Sequence, residues 1–167
     1  GRLESIDMGQ PFQVYVDYAH TDDALRHCIR SLRAVTPGRI ICVFGAGGDR
    51  DRSKRPLLAK AAAEADLAVV TSDNPRTEDP DHIIEDILAG FPDGAVEPCV
   101  EPDRKSALRW ALHEAEPGDC VLVAGKGHET VQVIGTDCFE FDDRAAVRHL
   151  LAEQLQPARR EPLRMPA

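Results

Sequence analysis

The stretch from Arg39 to Thr71, RIICVFGAGGDRDRSKRPLLAKAAAEADLAVVT, decides the fold. It begins with a continuous apolar run, Arg39 to Phe44, as a strand covered on both faces requires. A glycine-rich, highly charged loop fills residues 45 to 55. Pro56 suits the first turn of a helix, and Leu57, Leu58, Ala61, Ala62 and Ala65 recur as its apolar stripe. Leu67 to Thr71 (LAVVT) is a second buried strand. Strand, crossover helix and strand form one βαβ unit with parallel strands.

The same alternation repeats on both sides of this unit. Pro11 to Tyr18 (PFQVYVDY) is rich in β-branched and aromatic residues and reads as a strand. Thr21 caps the next helix, Asp22 and Asp23 suit its positive end, and Leu25, Cys28, Ile29 and Leu32 form its core face. Arg30 and Arg33 suit its far end, and Pro37-Gly38 stops it. After Thr71, Asp79 and Pro80 start a helix with Ile83, Ile84, Ile87 and Leu88 inward, ended by Gly90. Residues 95 to 100 (AVEPCV) predict a short strand that Pro98 confines to an edge. Residues 103 to 116 predict a helix burying Ala107, Leu108, Ala111, Leu112 and Ala115. Cys120 to Ala124 (CVLVA) is another buried strand. A hairpin follows, VQVIG and CFEF with its turn at Thr136-Asp137, and Asp142 caps a last helix through Gln154. The predicted class is α/β: a three-layer, Rossmann-like, mostly parallel sheet with helices on both faces and an antiparallel C-terminal edge. One domain over residues 1 to 155 is expected, with a disordered tail over 156 to 167. The chain begins at Gly1 rather than Met, so it is expected to be a piece of something longer.

The 167 residues suffice for one domain with a real core. Only 5% are aromatic, so aliphatic side chains must build that core. Twenty Lys and Arg against 29 Asp and Glu give a net charge of −9, which disfavours nucleic acid and anionic membranes as partners. No apolar run approaches the ~20 residues of a membrane span, and the N-terminus lacks a secretion signal. A cytoplasmic protein is expected. The five cysteines are odd in number and widely spaced, which suits buried, reduced thiols rather than a disulfide or metal framework.

In a sheet of this kind ligands bind beyond the carboxyl ends of the strands. The segments there are Asp17-Tyr18-Ala19-His20, Gly45 to Arg55, Ser72-Asp73-Asn74-Pro75-Arg76 and Gly125-Lys126-Gly127-His128-Glu129. Any one of them passes for a solvated turn; all four at one edge do not. Familiar motifs fail. Gly45-Ala46-Gly47-Gly48 runs into charge where a dinucleotide fingerprint needs bare backbone, and Gly125-Lys126-Gly127 lacks the spacing of a phosphate loop. His128-Glu129 lacks the second His of a zinc-protease helix, there is no nucleophile elbow, and no metal cluster is evident. What remains is recognition chemistry. Arg50 and Arg76 can each fork onto a carboxylate, Glu129 can hold an ammonium, and Asn74 can orient either. The plainer alternative pairs Arg50 and Arg76 with Asp49, Asp51 or Glu78 on the surface.

The ordered segments Asp17-Tyr18-Ala19-His20-Thr21-Asp22, Gly47-Gly48-Asp49-Arg50-Asp51-Arg52 with Lys54-Arg55-Pro56, Asp73-Asn74-Pro75-Arg76 and Gly125-Lys126-Gly127-His128-Glu129 resemble the C-terminal domain of the Mur ligases of peptidoglycan synthesis. Within that family they are most similar to the diaminopimelate-adding type. The resemblance covers residues 1 to 152; Asp22 departs from it, standing where a proline is expected. It implies an ATP-dependent amide ligase of three domains, in which an acyl phosphate forms and an amine attacks it. ATP and Mg²⁺ would be held mainly by a central domain absent from this chain. The partners implied are meso-diaminopimelate, a UDP-N-acetylmuramoyl-dipeptide and ATP, with the enzyme a monomer. By resemblance, Arg50 binds the carboxylate beside the reacting L-centre. Asn74 and Arg76 grip the distal carboxylate in a loop shaped by Asp73 and Pro75. The Gly125 carbonyl and Glu129 hold the distal ammonium. Asp17 would serve the ATP ribose, and His20 the phosphates. No catalytic residue and no metal ligand is expected in this domain.

Other readings remain at this stage. A lysine-adding enzyme or cyanophycin synthetase would share the fold, but lysine leaves Arg76 without its carboxylate. A nicotinamide-dependent oxidoreductase would need the missing glycine fingerprint. A non-catalytic amino-acid-binding module would behave as the isolated fragment should.

Overall fold

The computed structural model describes residues 2 to 156; the expected tail, from residue 157 on, lies outside them. A six-stranded sheet forms the centre, in the order β1–β2–β6–β3–β4–β5. Its strands are β1 (Glu4–Ser5), β2 (Gln13–Asp17), β3 (Ile40–Phe44), β4 (Leu67–Val70), β5 (Cys99–Val100) and β6 (Cys120–Ala124). All pairings are parallel except β1 with β2. The helices are α1 (Asp22–Arg33), α2 (Arg55–Ala62), α3 (Pro80–Leu88), α4 (Arg104–Glu114) and α5 (Asp143–Leu155).

Strand periodicity divides the core into two layers. Ile40, Cys42 and Phe44 of β3 face α1, α2 and α3, whereas Ile41 and Val43 face α4 and α5. β6 does the same, sending Leu122 and Ala124 to the first layer and Val121 and Val123 to the second. The layers meet Leu25, Ile29, Leu58, Ile83 and Ile87 on one side and Leu108, Leu112, Val147 and Leu151 on the other. Each such side chain contributes about 1.5–3 kcal/mol by leaving water. Small residues bring α2 close: Ala59, Ala61 and Ala62 are fully buried.

The expected class and element order hold, with local differences. Leu57 is exposed; Arg55 takes the buried place in its turn, and Ala65 lies past the end of α2. The strand expected over 95 to 100 is reduced to Cys99–Val100. The C-terminal antiparallel pair, β7 (Val131–Ile134) and β8 (Asp137–Glu140), forms a two-stranded sheet of its own. Its turn is Gly135-Thr136 rather than Thr136-Asp137, because Gly135 (φ 61°) supplies the left-handed backbone that so tight a hairpin needs. Cys28, Cys42 and Cys120 are buried, but Cys138 is exposed. Burial first, then the nearby charge of Asp17, pushes the Cys28 thiol up to about 12; burial pushes Cys120 up to about 11.

Because β2, β6, β3 and β4 are neighbours running the same way, their carboxyl ends share one edge. The four polar loops therefore leave the sheet side by side.

Candidate amino-acid-binding site

A cavity of about 480 Å³ opens at that edge. Its lining includes His20, Arg50, Asp73, Arg76, Gly125 and Glu129, drawn from all four loops. Two backbone devices shape it. Gly48 donates to the Asn74 carbonyl at 2.8 Å, and a β-carbon there would collide with the Pro75 carbonyl oxygen. Gly125 has φ 111°, and a β-carbon would meet Asp73 Oδ2 at 2.9 Å. Only glycine allows these approaches.

Arg76 and Asp49 both hold left-handed backbone, at φ 52° and 53°. The Arg76 guanidinium donates from Nη1 to the Gly48 carbonyl at 2.9 Å, and Arg50 Nη1 reaches the Asp49 carbonyl at 3.3 Å. Neither arginine has a carboxylate partner among the described residues, so the surface-pairing alternative fails. The nearby acids are engaged elsewhere. Glu78 bonds both terminal nitrogens of the buried Arg55, at 2.7 and 2.9 Å, and accepts from the Asp49 amide. Asp86 takes Arg52 and Arg55. Asp49 accepts from Thr77, and Asp51 from Ser53. Hydrogen bonds from Arg55, and then from the Asp49 amide, hold the Glu78 carboxyl below its usual range.

Behind the cavity lies a polar cluster that the sequence did not disclose. Lys126 is fully buried. Its ammonium donates to Asn74 Oδ1 at 3.1 Å and Glu129 Oε2 at 3.3 Å, and stands 3.7 Å from Asp73 Oδ1. Asn74 Nδ2 donates to Glu129 Oε2 at 3.1 Å, so Asn74 sits behind the wall and orients Glu129. Pro75 lies beyond the wall as well, its carbonyl against Gly48. Below the cluster, Arg104 and Asp143 pair at 2.8 Å with both side chains wholly buried. Arg104 also donates to the carbonyls of Ser72 and Ala124, where two of the loops begin.

Asp17 lies outside the cavity lining. It is buried, and its two oxygens accept from the amides of Leu3 and Ala19 at 2.6 and 2.7 Å. His20 is exposed, with Nδ1 2.9 Å from the Tyr18 carbonyl and its ring edge-on to Tyr18. Asp17 and His20 share a second hollow, together with His128. Among the described residues no group of three or more His, Cys, Asp or Glu could hold a metal ion, and no helix is long and apolar enough to cross a membrane.

The fold and site define a three-layer α/β domain whose strand-end edge carries two arginines without carboxylate partners among the described residues and an oriented carboxylate. A family model described as Mur ligase, glutamate ligase domain matches residues 1–127, and the chain belongs to that family. It is 58% identical over 152 residues to UDP-N-acetylmuramoyl-L-alanyl-D-glutamate--2,6-diaminopimelate ligase of Solibacter usitatus, covering 90% of this chain and 31% of that protein. The Nostoc protein of the same name is 56% identical over 157 residues, covering 92% and 32%. A solved structure of a ligase of that name superposes with a TM-score of 0.88 at 41% identity, covering 92% of this chain and 32% of the other. The chain thus spans about a third of the length of these relatives.

Proposed function

We propose that this chain is the C-terminal domain of an ATP-dependent ligase that adds meso-diaminopimelate to UDP-N-acetylmuramoyl-L-alanyl-D-glutamate in peptidoglycan synthesis. One observation carries the reading: Arg50 and Arg76 line a single cavity without carboxylate partners among the described residues, with the oriented Glu129 on the same wall. Diaminopimelate has two carboxylates and two amino groups. Arg50 takes the carboxylate at the reacting centre, and Arg76 the distal one. Asn74 acts through Glu129, and Asp73 and Pro75 hold the loop. Glu129 and the Gly125 carbonyl take the distal ammonium, which leaves the other amine free to attack. The relatives' names support this choice of amino acid.

The chain's share of the work is to bind and orient the amino acid. ATP and Mg²⁺ would be held mainly by other parts of the ligase, as the family resemblance implies. His20 is free to meet phosphates at the cavity mouth. Asp17, already bonded to two amides, reaches the nucleotide only if Leu3 or Ala19 releases it. The reading places the enzyme in the cytoplasm, where ATP is available, and every residue it assigns comes from one copy.

The test is a titration of the isolated chain with meso-diaminopimelate, lysine and NADH, followed by backbone amide resonances. Diaminopimelate should move the amides of residues 50, 73, 74, 76 and 125 to 129 most, lysine less, and NADH not at all. The isolated chain should release no phosphate from ATP. Steady turnover by it alone, or an equal response to lysine, would overturn the reading.

A further inference from the structure

We infer that the β7–β8 hairpin is a positioning strap that fixes the Asp73–Arg76 loop and so sets selectivity for the amino acid. The selectivity half of this inference rests on the function proposed above.

The hairpin adds nothing to the core. No residue from Val131 to Glu140 is buried, and none belongs to either core cluster. A lone two-stranded hairpin is at best marginally stable in water. What fastens this one is its free edge, and every bond from that edge goes to one loop. Gln132 Nε2 donates to the Asp73 carbonyl at 2.8 Å. The Val133 amide donates to Asn74 Oδ1 at 2.9 Å, and the Val133 carbonyl accepts from the Arg76 amide at 3.0 Å. The Gly135 amide donates to the Arg76 carbonyl at 2.6 Å. Both backbone polar groups of Arg76 are thus held by the hairpin, and Arg76 pairs with Ile134 as an isolated parallel bridge.

Arg76 needs such holding. Its left-handed backbone is one that side chains rarely adopt, and it aims the guanidinium across Gly48 into the cavity. Asn74 needs it too: with Oδ1 shared by the Val133 amide and Lys126, its Nδ2 is left to orient Glu129. The hairpin therefore governs the readers of both the distal carboxylate and the distal ammonium.

The geometry supplies clean variants. Both polar groups of Val133 point to the loop, so the Val133–Cys138 pair is one of the non-hydrogen-bonded pairs of the hairpin. Val133→Pro removes the bond to Asn74 and leaves the β7–β8 ladder intact. Gln132→Ala removes the bond to Asp73, and Val133→Ala keeps the amide as the conservative comparison. In the full-length ligase, Val133→Pro should lower the ratio of kcat/KM for diaminopimelate over lysine tenfold or more, equivalent to about 1.4 kcal/mol. The change should lie in KM for diaminopimelate, with KM for ATP and for the nucleotide substrate within about twofold. Gln132→Ala should lower the ratio less, and Val133→Ala should restore it. In the isolated chain, hydrogen exchange at the Arg76 amide should accelerate tenfold or more in Val133→Pro and Gln132→Ala, while β3 amides stay unchanged. A wild-type enzyme without preference for diaminopimelate sinks the proposed function, and the exchange rates then decide the strap alone. Unchanged exchange at Arg76 overturns the strap; altered exchange with an unchanged ratio overturns its part in selectivity. If Val133→Pro does not accumulate, Gln132→Ala decides both points.

Discussion

The two ends of the central strands carry similar charges and treat them oppositely. At the amino end of β3 and β6, Asp119 is 3% exposed and fully used. It accepts from the Arg39 amide at 2.7 Å, from the Arg39 guanidinium at 2.9 and 3.2 Å and from the Glu116 amide at 2.9 Å. Arg39 adds Glu114 at 3.3 Å. At the carboxyl end, the guanidiniums of Arg50 and Arg76 bond only carbonyl oxygens among the described residues. The acids near them are engaged by Arg52, Arg55, Thr77 and Ser53, and on the function proposed above both cations are left for a ligand's carboxylates. On that reading the closed end serves stability and the open end serves binding. The two demand opposite responses to mutation.

The largest effect should come from the ion pair beneath the open end. Arg104→Ala leaves Asp143 charged and wholly buried, and orphans the carbonyls of Ser72 and Ala124. Breaking such a pair by removing one partner costs about 3–5 kcal/mol. Urea unfolding should register that loss. A variant as stable as wild type would mean that water or a rearranged partner reaches Asp143.

Arg76→Ala should do the reverse: a stability loss of only about 0.5–1.5 kcal/mol, the worth of its one hydrogen bond to the Gly48 carbonyl, but a large loss of function. Removing one partner of a desolvated charge pair costs about 2–5 kcal/mol, or roughly one and a half to three and a half decades of kcat/KM with diaminopimelate. Lysine, which lacks the second carboxylate, should lose far less. Arg50→Ala should weaken both amino acids alike. A diaminopimelate-to-lysine ratio unchanged by Arg76→Ala would remove the central support for the proposed substrate.

These contrasts also mark what the sequence could disclose. Apolar runs such as IICVF and CVLVA announced buried parallel strands, and the loops after them announced the edge where chemistry gathers. Arg50, Arg76 and Glu129 could be singled out as candidates because each lies in a loop that follows a strand at that edge, and the fold brings all three to one cavity. The supports could not be singled out. Lys126 reads as a solvated loop lysine until the fold brings Asp73 and Asn74 to it from 52 or more residues away in sequence. Arg55 and Arg104 did leave a trace. Each is the first residue of its helix, where a cation opposes the helix dipole. Such a misfit implies a tertiary partner, here Glu78 with Asp86 and Asp143, but not its identity. β1 and β5 have two residues each, too few for periodicity to register.

The closed end should answer to pH. Burial raises the Asp119 carboxyl, but the amides of Glu116 and Arg39 and the Arg39 guanidinium outweigh it and hold the group below its usual value. A depressed folded value means that the stabilisation is complete above the ordinary value of 3.8 and is lost as pH falls through the lower folded value. Asp119→Asn should therefore cost about 1–3 kcal/mol at neutral pH, as expected when a buried acceptor is degraded. It should cost progressively less below that value, with kcat/KM unaffected throughout. A pH-independent difference would show that Asp119 acts through shape rather than charge.

The smallest effect should come from pairs that are satisfied yet wet, which separates pairing from burial. Glu64 takes Arg30 and Arg26 at 2.9 Å each, joining α1 to the end of α2, but its side chain is 33% exposed. The hydrogen bond from Arg30, opposed by burial and aided by Arg26, holds the Glu64 carboxyl below its usual value. Its contribution is therefore present above the ordinary value of 4.5 and fades as pH falls through the depressed one. Solvent screening reduces what that shift is worth, and exposed pairs of this kind typically contribute about 0.2–1 kcal/mol. Glu64→Gln should lose no more than that at low salt. The difference should vanish by about 1 M salt, where the Debye length is roughly 3 Å. Asp119→Asn should keep most of its cost under the same salt, because a buried carboxylate is poorly screened. If salt erased both differences equally, burial would not be what distinguishes the closed end, and the contrast between the two ends of the sheet would reduce to the number of pairs at each.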